Sequence, residues 1–182
     1  TGVNFSPGQM RHTGLTTDVA IEGKGFFEVQ LPNGGSAYTR DGEFHVDAQG
    51  RLVTKGGYAV MGESGPIQLD PNNHQPITIT ESGEIRQGAA VAARLQVVEF
   101  RNPKLLTPIS GSYFIANNPE LLANPTADTK VHPGYLEGSN ASPVAEMAHL
   151  LTAMRMTEAN QKVIQAQDER MNRALSDLGN LT

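Results

Sequence analysis

Cysteine is absent from the 182-residue chain, and so is tryptophan. Without a thiol there is no disulfide, no thiolate metal site and no cysteine nucleophile. Positive charge is also in short supply. Fourteen Lys and Arg face nineteen Asp and Glu, for a net charge of -5 and a pI near 5.5. The cations are scattered, so the basic face that holds nucleic acid is missing. No stretch approaches the roughly 18 consecutive apolar residues of a transmembrane helix. The start, Thr1-Gly2-Val3-Asn4-Phe5, lacks the charged region and apolar core of a secretory signal peptide, although export through an uncleaved signal needs neither. With 38% hydrophobic and 18% charged residues, the chain is expected to fold rather than remain disordered or enter a membrane.

Catalytic patterns are equally thin. Gly62-Glu63-Ser64-Gly65-Pro66 has the outline of a serine-nucleophile turn, but proline stands where the elbow needs glycine. It reads as a turn. The histidines at 12, 45, 74, 132 and 149 show no HxH or HExxH spacing. Glu22-Gly23-Lys24-Gly25 lacks the remainder of a phosphate-binding loop and reads as a tight hairpin turn. Asp41, Glu43 and Asp47 alternate near turn residues and read as solvated loop acids. The Asn-X-Ser/Thr patterns at 140 and 180 carry little weight without a secretory signal. The expectation is therefore a protein that is not an enzyme and holds no cofactor, metal, nucleic acid or small-molecule substrate.

What is present is a run of short strand signals. Residues 1–17 are polar and Gly-rich and read as an extended N-terminal arm. From Asp18, β-formers recur between turn signals at Asn33-Gly34-Gly35, Asp41-Gly42, Gln49-Gly50, Gly56-Gly57 and Ser82-Gly83. Residues 94–100 read as the clearest single strand, ended by Asn102-Pro103. Helical stretches for βαβ crossovers are lacking here, so the sheet should be antiparallel. Residues 116–134 read as a connecting loop. The predicted fold is mainly β, a folded sheet or distorted barrel over 18–134, followed by a joint loop at 135–142 and a long amphipathic, coiled-coil-type helix over 143–182.

The helix signals are local. Ser142 suits the N-cap and Pro143 the first helical position, where a missing N–H costs nothing. Glu146 suits the positive end of the helix dipole, and Gly179 is a stop. Met147, Leu150, Leu151, Met154, Ile164, Met171, Leu175 and Leu178 form an apolar stripe near seven-residue spacing, interrupted by Gln161 and Asp168. Glu158/Lys162 and Glu169/Arg173 decorate the exposed side in the favourable order. A helix over 143–178 spans about 54 Å at roughly 1.5 Å per residue. Its stripe either covers the protein's own sheet or waits for a helix from elsewhere.

Several blocks then resemble one family. Thr13-Gly14-Leu15-Thr16-Thr17-Asp18-Val19-Ala20-Ile21 with Gly25-Phe26-Phe27, and Tyr38-Thr39-Arg40-Asp41-Gly42, are similar to stretches of bacterial flagellar rod and hook proteins. So are Gly134-Tyr135-Leu136-Glu137-Gly138-Ser139-Asn140 with Pro143, and Glu158-Ala159-Asn160-Gln161-Lys162-Val163-Ile164. The resemblance implies a structural axial subunit of the basal-body rod, exported by the flagellar type III pathway. It also implies an N-terminal helix ahead of Thr1 as partner of the C-terminal one, with self-association and contacts to other rod and hook subunits. Within the family the middle region looks slightly more like the proximal than the distal rod. Gly134, Leu136, Glu137, Gly138, Ser139, Asn140 and Pro143 are then expected to set the joint between sheet and helix. The competing reading is a phage-tail-like or extracellular binding protein that the helix oligomerises.

Overall fold

The computed structural model describes residues 5–6, 8–118, 121, 123–125, 129–140 and 143–179; of the helical side chains it describes those at 147, 150–167 and 170. In chain order the strands are β1 (Met10–His12), β2 (Val19–Ile21), β3 (Phe26–Gln30), β4 (Ser36–Thr39), β5 (Phe44–Val46) and β6 (Leu52–Thr54). They continue as β7 (Ala59–Gly62), β8 (Gly65–Pro66), β9 (Ile77–Ile79), β10 (Glu84–Gln87), β11 (Ala90–Arg94) and β12 (Val97–Glu99). A single 3₁₀ turn at Pro103–Leu105 precedes β13 (Thr107–Ser110), β14 (Tyr113–Ile115), β15 (Asn124–Pro125), β16 (Val131–Pro133) and β17 (Tyr135–Glu137). The helix α1 (Pro143–Gly179) follows.

Every described pairing is antiparallel. The largest sheet runs β13-β14-β4-β3-β7-β6-β5, with β12, β15 and β8 attached beside this path. Its path ends on β13 and β5, so it is a folded open sheet and not a closed barrel. β11-β10-β9 form a three-stranded sheet, and β16-β2 and β1-β17 form two-stranded ribbons. The turn glycines behave as expected at four hairpins. Gly34, Gly50, Gly57 and Gly83 adopt φ of +82°, +81°, +79° and +79° between β3/β4, β5/β6, β6/β7 and β9/β10. A side chain with a Cβ rarely tolerates that region.

Two expected hairpins are corners instead. Glu22–Gly25 joins β2, which pairs with β16, to β3, which pairs with β4, β7 and β12. Asp41-Gly42 joins β4 to β5, which pairs with β6. Gly42 lies so close to Val19 that a Cβ would strike the Val19 carbonyl, and the Val19 N–H donates to the Gly42 carbonyl at 3.0 Å. Local turn chemistry does not distinguish a hairpin from a change of sheet, because both demand the same backbone freedom.

Three further expectations are corrected. The expected strand over 94–100 is split, because the chain leaves the three-stranded sheet after β11 and enters the large one at β12. At the crossing the Leu95 N–H donates to the Gly83 carbonyl at 2.8 Å and the Gln96 N–H to the Met61 carbonyl at 3.0 Å. The expected arm and joint loop are also partly strand, since Met10–His12 pairs with Tyr135–Glu137. The expected loop over 116–134 holds β15 and β16. Apart from β11, each of these strands is two or three residues long, too short to print an alternation that a sequence pattern could reveal.

β3 divides the interior. Successive strand residues point to opposite faces, so Phe27 joins the cluster of Val19, Ile21, Phe44, Leu52, Val60 and Ile67, while Phe26 joins Tyr38, Val98, Phe100 and Leu106. β12 repeats the division in register: Val97 opposite Phe27 and Val98 opposite Phe26. The second core is aromatic, with Phe26 at 5.6 Å from Phe5, 5.7 Å from Phe100 and 6.4 Å from Phe114, all edge-on. Such geometry matches the ring quadrupoles. The chain divides into two compact units, Thr1–Asn140 and Ala141–Thr182.

Candidate functional site

The residues expected to form the joint are organised by a ribbon. β17 lies against β1 with Met10 opposite Glu137, Arg11 opposite Leu136 and His12 opposite Tyr135. Gly134 turns the chain from β16 into β17 at φ +75°. Its N–H donates to the Asp18 carbonyl at 2.8 Å, and its carbonyl accepts the Thr13 N–H at 2.8 Å. Beyond the ribbon the Gly138 N–H donates to the Gln9 carbonyl at 2.8 Å, and Asn140 Nδ2 donates to the Ser6 carbonyl at 2.6 Å. Bonds of this kind hold a short two-stranded ribbon that would be marginal alone.

One ion pair locks the ribbon to the large sheet. Arg40, just past β4, places Nε at 2.9 Å and Nη2 at 2.8 Å from Glu137 Oε2. The remaining donors point to the Gly25 and Gly23 carbonyls, each at 2.9 Å, and the guanidinium lies 5.7 Å from the Phe26 ring centre. Glu137 Oε1 accepts the Gly8 N–H at 2.7 Å. The two side chains retain only 13% and 10% of their exposure. A buried pair is sustainable only when such further hydrogen bonds occupy both partners. Arg40 was visible as part of a motif but not as a site residue, because its partner lies 97 positions away. No local pattern announces that separation.

An open cleft of about 450 Å³ lies beside this pair. Phe5, Phe114 and Leu136 give it apolar surface, Asp41, Glu43 and Glu137 contribute carboxylates, and Gly138, Ser139 and Asn140 contribute to the lining.

The other sequence candidates lie apart. Ser64 is an exposed residue of the two-residue loop between β7 and β8. Asp47 caps the β5/β6 turn, accepting from the Gln49 and Arg51 N–H groups at 2.9 Å each and from Arg51 Nε at 2.8 Å. Desolvation pushes its carboxyl up, but these hydrogen bonds and the Arg51 charge outweigh it and hold the group below the usual carboxylate range. Burial, and then the Glu28 charge, push the Tyr38 phenol up. His12 stacks edge-on with Tyr135 at 4.9 Å, and His132 Nε2 lies 3.0 Å from Glu22 Oε2. Among the described residues no three His, Asp or Glu side chains gather as metal ligands.

On α1, Pro143 opens the helix and Gly179 closes it. Ser142 lies outside the described residues, as do the side chains of Met171, Leu175 and Leu178. The described stripe residues are exposed: Met147 67%, Leu150 63%, Leu151 59%, Met154 54% and Ile164 57%.

Two family descriptions match the chain. The flagellar hook protein FlgE/F/G D1 domain matches residues 20–87, and the flagellar basal body rod FlgEFG protein C-terminal region matches residues 132–177. A flagellar basal-body rod protein FlgF of Caulobacter vibrioides is 37% identical over 186 residues, covering 100% of this chain and 74% of the relative. The chain belongs to the flagellar hook and basal-body rod protein family. A FlgG of Borreliella burgdorferi is 36% identical, covering 90% of this chain and 65% of the relative. A FlgF of Escherichia coli K12 is 33% identical, covering 95% and 72%.

As a rod-family protein the chain is a structural component of the flagellar basal body. This sets aside the phage-tail-like alternative. The Arg40–Glu137 pair acquires a clear place in the family frame. Arg40 falls in the matched D1 block and Glu137 in the matched C-terminal block, so the ion pair ties the two blocks together.

Proposed function

We propose that this flagellar rod-family protein acts as an axial building block whose C-terminal helix is its assembly element. The carrying observation is the apolar stripe of Met147, Leu150, Leu151, Met154 and Ile164, exposed on a helix of 37 residues. Such a helix spans about 55 Å at roughly 1.5 Å per residue. An amphipathic helix gains most of its stability from burying its face, and a stripe near seven-residue spacing suits other helices. Its partners are helices of neighbouring rod or hook subunits and an N-terminal helix of the family type. In the sequence, Met171, Leu175 and Leu178 continue the same spacing. Delivery is by the flagellar export pathway, and the protein works without catalysis or cofactor.

Gly134, Leu136, Glu137, Gly138, Ser139, Asn140 and Pro143 act as the joint. The ribbon hydrogen bonds and the Arg40–Glu137 pair support this role, because they give the chain a fixed point before the helix.

The test is complementation of a rod-gene deletion in the source bacterium. Leu150→Glu with Ile164→Glu should abolish swimming while leaving the thermal transition of the β unit within about 1 °C, since exposed substitutions change stability little. Swimming restored by the double variant to the level of the unaltered gene would refute the helix as assembly element.

A further inference from the structure

We infer that the cleft beside Arg40 receives the Pro103–Leu105 turn of a second copy of this chain, giving a head-to-tail contact between β units. The inference rests on the rod-subunit reading and names a contact separate from the helix.

The cleft has a defined chemistry. Its surface includes Phe5, Phe114 and Leu136, and its ionisable lining is three carboxylates, Asp41, Glu43 and Glu137, against one guanidinium, Arg40. Arg40 is already engaged by Glu137 and two backbone carbonyls. Asp41 Oδ1 accepts the Glu43 N–H at 3.2 Å, and Glu43 has a loose, exposed pair with Lys55 at 3.4 Å. The negative charge of Asp41 and Glu43 is therefore only lightly compensated. An occupant should bring an apolar group flanked by cations.

The Arg101-Asn102-Pro103-Lys104-Leu105 segment presents that combination. Leu105 is 46% exposed, Arg101 and Lys104 are exposed, and the segment contains no acid. The turn is held by its own backbone. Pro103 restricts φ, the Leu105 N–H donates to the Asn102 carbonyl at 3.2 Å and the Leu106 N–H to the Pro103 carbonyl at 3.0 Å. Leu106 anchors it, only 5% exposed, in the aromatic core. A preformed knob loses little conformational freedom on docking. Knob and cleft are made of different residues of one chain, so copies joined head to tail by this contact extend into a ring or a helical filament. Opposite charges at its rim would set register and association rate.

The absence of cysteine makes a direct test clean. Full-length Leu105→Cys and Glu43→Cys proteins are mixed under mild oxidant, with Leu105→Cys plus Asn72→Cys as the control pair. The expected result is a disulfide-linked heterodimer from the first mixture at least ten-fold above the control. Adding Lys104→Glu to the Leu105→Cys chain should cut that yield several-fold, and Asp41→Lys in the other chain should recover it. Equal yields in the two mixtures would overturn the inference, as would indifference to the Lys104 charge. So would trapping of Glu43→Cys in cells on a different protein with no homotypic product. If the unaltered chain still restores swimming while the pairs show no preference, the knob and cleft fall and the rod reading stands; if the unaltered chain restores nothing, the rod reading is what fails.

Discussion

Arg40 shows how much one side chain can decide. It has Glu137, two backbone carbonyls and an aromatic ring as neighbours, and it stands in the link from β4 to β5. Glu137→Ala should leave a guanidinium mostly buried without its anion, at a cost of about 3 kcal/mol in urea denaturation. Arg40→Met with Glu137→Leu should regain a large part of that loss, since an apolar pair of similar volume removes both charges together. A double variant no more stable than Glu137→Ala would show that the carbonyl contacts of Arg40 matter more than the pair. Asp47 gives a pH prediction. Its folded-state carboxyl titrates below the ordinary carboxylate range, so its contribution is fully present above an unfolded value of about 4. That contribution is lost as pH falls through the lower folded value. An NMR titration should show the Arg51 and Gln49 amide signals moving only below about pH 4; movement near pH 5 would contradict the turn-capping role.

Elements show which strand signals carried information. The consecutive pairs Phe26-Phe27 and Val97-Val98 fill both faces of adjoining strands, so neither strand alternates strictly between apolar and polar residues along its length. Leu95 sits between β11 and β12, bridging Gly62 while only 4% exposed in the first core. Leu95→Ala should cost about 3 kcal/mol in chemical denaturation. A loss below about 1 kcal/mol would mean that the two sheets are not fastened by this residue. Two outer strands carry a bulge: Ala92 is the extra residue in β11, and Ile109 is the extra residue in β13 beside Pro108. Bulges and proline discourage edge-to-edge pairing. This favours contacts through side-chain surfaces, such as knob and cleft, over strand addition in assembly.

At the scale of the molecule there are two units with different sources of stability. Residues Thr1–Asn140 carry the described buried cores, whereas the described side chains of α1 are exposed. Heating the isolated chain should therefore give two transitions. Helical ellipticity at 222 nm should fall first, and the near-ultraviolet signal of Tyr38 and Tyr113, set in the sheet, should fall later. Coincident transitions would show that the units unfold together.

What was legible in the sequence was whatever short-range chemistry dictates. Gly34, Gly50, Gly57 and Gly83 marked hairpins because their backbone needs positive φ, and Pro143 marked a helix start because proline lacks the donor that position does not use. The apolar stripe of α1 was legible through its own periodicity, and the family through motif blocks in order. The tertiary structure alone decided that Glu22–Gly25 and Asp41-Gly42 are corners between sheets, and that 94–100 crosses from one sheet to another. It alone brought Arg40 to Glu137 and turned part of the supposed arm and joint into a paired ribbon. The physical reason is common to all of these. A turn, a cap or a helical face is encoded within a few residues, whereas a strand's partner and an ion's counterion are chosen by packing across about a hundred, and that choice leaves no periodic trace along the chain.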